Sequence, residues 1–149
     1  MSQPLTDTQK VNLALGERVV EVYEHRGPWG VYEHFDEFFA PGFEWIPAVS
    51  QLGDELYVGR DGFHKWITDM EAVASEFRQS GIELFAVGER HLLVLGQMTL
   101  VGKESGAGFE SEYGSLYEVN DGIGTRGRAY LSHDEARRAA EAESGVLGA

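Results

Sequence analysis

The chain has 149 residues, no cysteine and a formal net charge of −13, from 25 acidic against 12 basic side chains. That length is one domain's worth, the missing thiols exclude disulfides and thiolate metal sites, and the negative charge argues against nucleic acid and anionic membrane surfaces as partners. No apolar run approaches the roughly 20 residues of a membrane span and the start has no apolar secretion signal, so a cytoplasmic, unexported protein is expected.

Residues 1–7 are polar and expected to be loose, with Thr6 or Asp7 free to cap the first helix. From Thr8 to Arg26 the apolar positions Val11, Ala14, Leu15, Val19, Val22 and Tyr23 recur at three and four, which predicts an amphipathic helix. Gly27-Pro28 breaks it, and proline suits the start of a second helix, Pro28 to Phe39, crowded with Trp29, Tyr32, Phe35, Phe38 and Phe39. Phe43 to Pro47 reads as a short strand, the dozen residues ending at Gly59 as a loop, and Arg60 to Phe77 as a third helix with Phe63, Trp66, Ile67, Met70, Val73 and Ala74 on one stripe. His64 is one step off that stripe, which places it on the exposed side.

Strands are predicted over Ile82–Val87 and Leu92–Val101, with a flexible GKESGAG turn at 102–108. The next stretch, Phe109 to Leu131, reads as two long strands joined at Asp121-Gly122, a pair that supplies the two positive-φ positions of a tight hairpin. Phe109, Ser111, Tyr113, Ser115, Tyr117 and Val119 share one side of its first strand, and Glu110, Glu112, Gly114, Leu116 and Glu118 the other. A short helix from His133 to about Glu143, capped by Ser132, precedes a tail from Ser144 that is expected to fray.

Tight turns make neighbouring strands antiparallel, so the class is α+β: a curved antiparallel sheet, three N-terminal helices over its concave face and a short C-terminal helix. Leu92–Val101 is apolar on both sides, and with the helices on one face the other, including Leu116, is expected to meet a second subunit in a homodimer.

The order of elements, with Phe43-Glu44-Trp45 after an aromatic helix, Gly59-Arg60-Asp61-Gly62 opening the third helix, GKESG before the hairpin and Asn120-Asp121-Gly122 in it, resembles the SnoaL-like families of the nuclear transport factor 2-like fold. The resemblance spans about residues 8–143 and treats 1–149 as a single domain. It implies a cone of sheet closed by helices around a pocket for a small, largely apolar molecule, with no metal or organic cofactor. Relatives include polyketide cyclases, ketosteroid isomerases and limonene epoxide hydrolases, so the fold alone does not choose a reaction. Where the epoxide hydrolases place Arg-x-Asp and a second Asp, this chain has Gln97, Thr99 and Ala129, which counts against that triad.

Pairing straight across Asp121-Gly122 sets Tyr117 opposite Arg126, Ser115 opposite Arg128 and Tyr113 opposite Tyr130, which brings both arginines to the aromatic face unless a bulge at Gly124 or Gly127 turns them out. Arginine in an apolar pocket meets a carboxylate or waits for an anionic ligand. Tyr113, Tyr117 and Arg128 are thus the candidate catalytic groups, as stabilisers of developing negative charge, and Trp45, Trp66, Met70, Phe39, Gln97, Thr99, Arg126 and Tyr130 the candidate substrate contacts. Core packing is the alternative for the aromatic residues, and a salt bridge for the arginines. Two functions are consistent with these residues. One is proton-transfer chemistry on a small hydrophobic, possibly anionic substrate (isomerase, cyclase or dehydratase), for which no buried carboxylate base is evident. The other is a non-catalytic small-molecule-binding or protein-interaction module.

Overall fold

The computed structural model describes residues 4–48 and 56–144. The expected loose residues 1–3, most of the loop before Gly59 and the tail after Ser144 lie outside the described residues. Helix α1, Asp7–Glu33, starts at a Thr6–Gln9 capping box and turns at Gly27, whose φ of 69° separates the two helical segments that the Gly-Pro pair predicts. Helix α2 is a single turn, Phe35–Phe38, because strand β1 begins at Phe39 and runs to Ile46. The two-residue strand β2, Tyr57–Val58, leads into α3, Gly59–Val73.

Strand β3, Ala74–Val87, takes residues that the apolar stripe assigns to the third helix. The helical spacing of Val73 and Ala74 ends where Ala74 turns extended, and Gly81 is a bulge inside the strand, with a φ of 60° and a register shift between Ser80 and Glu83. Strands β4 (His91–Gly102), β5 (Gly108–Asn120) and β6 (Ile123–Tyr130) come next, then α4 (His133–Ser144). The sheet order is β2-β1-β6-β5-β4-β3. Every pairing is antiparallel except β1 with β6, so the sheet is mixed; β1 reaches that position by crossing from the helical layer and not by a tight turn.

The inner face of the sheet, under α1 and α3, holds the larger core: Phe35, Phe38, Phe43 and Met98 are almost wholly buried among Phe39, Trp45, Phe63, Trp66, Ile67 and Tyr113. Gly16 lets α1 lie close on this face, since a β-carbon there would meet Leu92 at 2.6 Å. The outer face holds a second cluster of Leu93, Leu95 and Leu116 under Ala136 and Ala140 of α4. This part of the outer face is thus covered by the chain's own last helix, where the sequence reading puts all the helices on the other face. The small residues of α4 allow the close approach, and a β-carbon at Gly114 would meet that of Ala136 at 2.8 Å. No helix among the described residues is long and apolar enough to cross a membrane.

Candidate functional site

A cavity of about 110 Å³ lies between the inner face of the sheet and the helices. One wall is α1, through Leu15, Gly16, Val19, Val20 and Tyr23, with Pro28 and Val31 beyond the kink. Phe39, Phe43 and Trp45 of β1 and Phe63 and Trp66 of α3 close a second side. The sheet contributes Gln79, Ile82, Leu84, Leu92, Val94, Ser115, Tyr117, Val119 and Gly124. The inward row of β5 is the aromatic and hydroxyl side that alternation predicts, because strand residues two apart share a face.

The polar groups of the lining are few and uncharged. The Gln79 backbone N–H donates to the Tyr23 hydroxyl oxygen at 3.2 Å. Burial, the largest influence, pushes the Tyr117 phenol up to about 12, and the neighbouring Ser115 hydroxyl pulls it partly back. Burial likewise raises Tyr23, and raises Tyr113 well above its ordinary value, with Tyr117 and Tyr23 close enough to add to the Tyr113 shift. All three phenols are therefore protonated at neutral pH. The indole N–H groups of Trp45 and Trp66, two rings packed edge to face at 5.4 Å, are buried with no acceptor among the described residues.

Phe39, Trp45, Trp66 and Tyr117 line this cavity as the sequence reading places them. Tyr113 and Met70 instead border a tighter crevice with Pro47, Ala48, Trp66 and Phe77. Gln97 and Thr99 are not brought to the site: they pair with Glu112 and Glu110 across β4 and β5, on the outer face. Arg126, Arg128 and Tyr130 are also on the outer face, and the reason is a bulge. Pairing begins as expected at Asn120 with Ile123, with Asp121 and Gly122 at φ 52° and 75°, but passes from Val119–Gly124 to Glu118–Arg126 and so absorbs Thr125 as an extra residue. The Thr125 hydroxyl donates to Glu118 Oε1 at 2.7 Å, the first of the interactions that hold the Glu118 carboxyl below its ordinary value.

The bulge turns every later residue over. Arg126 meets Glu44 at 3.2 Å in an exposed pair, and Arg128 lies over the Tyr130 ring at 5.6 Å. Facing inward between the two arginines is Gly127, where a β-carbon would sit 2.7 Å from the Tyr117 ring and 2.9 Å from Trp45. Those two rings stack 9° from parallel, in space that a larger inward residue would fill. Gly127→Ala is expected to lose about 1–3 kcal/mol in urea unfolding, as overpacked cores do, and to shift the Trp45 fluorescence. An unchanged midpoint and spectrum would show that the stack does not depend on the glycine.

Tyr23 and Gln79 are cavity residues that the sequence does not single out. Tyr23 stands four residues after Val19 on the apolar stripe of α1, so its position is legible and its hydroxyl is the missed signal. Gln79 is hidden because its segment reads as the end of a helix and a connection. His64 is exposed, edge-on to Trp29 and Tyr32 at 5.1 and 5.3 Å, and not in the lining.

The SnoaL-like domain family model matches residues 16–126. Among solved structures, an NTF2-like protein of unknown function from Burkholderia pseudomallei is 17% identical, with a TM-score of 0.69 over 86% of this chain and 95% of that one. A phenazine biosynthesis-related protein from Pseudomonas aeruginosa is 15% identical with a TM-score of 0.67, over 95% of this chain and 89% of its own. TerC, co-crystallized with polyporic acid, is 16% identical with a TM-score of 0.67, over 88% and 98%. At these identities the structural matches show the fold alone. No curated protein matches the chain.

Proposed function

The chain belongs to the SnoaL-like domain family, a family of small-molecule pocket proteins, and on that premise we propose that its cavity binds one small, apolar, uncharged molecule without transforming it. The observation that carries this reading is the lining: it contains hydroxyls, an amide and indoles but, among the described residues, no carboxylate, imidazole, amine or guanidinium. Proton-transfer catalysis needs a group that accepts a proton near neutral pH, and protonated phenols do not. An anionic ligand is disfavoured for the same reason, since a buried charge without a counter-charge is costly.

Toluene titrated into the labelled protein should shift the backbone amide signals of Val94, Ser115 and Tyr117. Val94→Phe, which fills the space, should weaken that binding roughly tenfold or more, about 1.4 kcal/mol. Its own cost to stability is expected to stay below about 1.5 kcal/mol because the cavity takes up the added atoms. Absence of any toluene shift in the wild-type protein would remove the binding reading.

The catalytic reading keeps one specific support. Tyr117 is a buried phenol of the kind that stabilises an enolate, so an isomerase or cyclase acting on a ligand that carries its own base would use it as a donor. Product formation from any cavity ligand, abolished in Tyr117→Phe, would favour this second reading over simple binding.

A further inference from the structure

One part of the cavity wall is joined to its neighbour by side chains alone. Helix α1 breaks at Gly27, where φ 69° and ψ −167° suit glycine and no residue with a side chain, and the chain leaves helical geometry again at His34, φ −100° and ψ 18°. Between the two breaks, residues 28–33 form a short strap. Its inner side puts Pro28 and Val31 into the cavity wall, and Gly30 lets it fold back on the first segment of α1, since a β-carbon there would run into that of Arg26. Its outer side rests on α3. The Trp29 indole N–H donates to Glu71 Oε2 at 2.9 Å, Trp29 and Tyr32 meet the His64 ring edge-on at 5.1 and 5.3 Å, and the Arg60 guanidinium lies 4.5 Å from the centre of the Tyr32 ring. Among the described residues, no backbone hydrogen bond ties the strap to α3 or to the sheet.

The rest of the wall is tied down more firmly. Before the break, α1 is seated on the sheet through Gly16, and Tyr23 takes the backbone N–H of Gln79 in β3, a strand held along its length by its ladder with β4. A segment between two backbone breaks, latched by one hydrogen bond and ring contacts near the surface, opens at the lower cost. We infer that residues 28–33 are the gate of the cavity: they swing at Gly27 and His34 to admit the ligand, and the Trp29–Glu71 hydrogen bond latches them shut. This inference rests on the binding reading above and adds the route of entry to it. Neither Trp29 nor Glu71 lines the cavity. Weakening their bond therefore raises the open fraction equally with and without ligand, so association and dissociation speed up by one factor and affinity does not change.

The test follows toluene exchange through the line shapes and relaxation dispersion of the Val94, Ser115 and Tyr117 amides. Trp29→Phe keeps a ring against Tyr32 and His64 and removes the indole N–H, and Glu71→Ala removes its acceptor. Each is expected to raise the association and the dissociation rate constants of toluene about fivefold, the worth of one net hydrogen bond, with the dissociation constant unchanged. Tyr57→Phe is the control. It removes the 2.8 Å hydrogen bond from Tyr57 to Asp69 of α3, outside the strap and the cavity lining, and is expected to leave both rate constants as they are. Unchanged rates in both Trp29→Phe and Glu71→Ala, equal acceleration in Tyr57→Phe, or a loss of affinity with no faster association would overturn the gate while leaving the binding reading in place. Failure of toluene to bind the wild-type protein would overturn the inference and the binding reading together.

Discussion

Ala140→Asp is expected to lift α4 from the sheet. Ala140 is buried against the cluster of Leu93, Leu95 and Leu116, on the outer face. An aspartate there must either be buried without a cation, at a cost of about 3–5 kcal/mol, or carry the helix into water. Undocking limits the cost to the free energy of docking, and an acid in the later half of the helix also opposes the negative end of its dipole. The readout is hydrogen exchange at Leu93, Leu95 and Leu116, which should lose protection, together with sedimentation, because the uncovered leucines form an apolar patch that favours self-association. Unchanged protection and an unchanged sedimentation profile would mean that α4 does not hold this face closed.

The same helix shows where sequence reading stops. Its existence is legible from Ser132, whose hydroxyl accepts from the Glu135 backbone N–H at 3.3 Å, and from the acidic first turn. Its docking site is not, because Ala136 and Ala140 carry little hydrophobic signal and matter through closeness of approach, which only Gly114 on another strand makes possible. The two-sided apolarity of β4 does mean two-sided burial; the element that covers its outer side is a sequence-distant helix of the same chain.

The hairpin divides in the same way. Its turn is a local property, since Asp121-Gly122 adopts the two positive φ values that the pair favours. Its register is not local. Gly124 takes its place because a β-carbon there would be 2.9 Å from Phe39, a contact across more than half the chain, and the extra Thr125 is then held by Glu118 and Asn120. One absorbed residue exchanges two arginines for Gly127 and Ala129 on the inner face, and an expected anion site becomes an uncharged one. The aromatic lining survives this change because Phe39, Trp45 and Trp66 belong to elements that the slip does not touch.

Stability should fall steeply with alkali, and the buried and half-buried phenols set the range. Burial raises Tyr23, Tyr113, Tyr117 and Tyr130, and takes Tyr117 from 10.0 to about 12. In the unfolded chain these phenols lose their protons near pH 10, while in the folded protein they retain them, so above that point the native state binds more protons and stability declines as pH rises. The contribution is fully present below about pH 10 and is lost through about pH 12; for Tyr117 alone, two units correspond to about 2–3 kcal/mol. The net charge of −13 grows more negative over the same range and adds repulsion of its own, so the diagnostic is a difference. Urea unfolding of the wild-type protein and Tyr117→Phe, compared at about pH 8 and about pH 11.5, should show the variant losing less stability than the wild type. Equal losses would mean that Tyr117 ionises as freely folded as unfolded and that the cavity is wetter than its lining implies. Below this range the phenols are neutral donors, so binding of an uncharged ligand is expected to be flat in pH from about 6 to about 9, whereas recognition through a titrating base would not be.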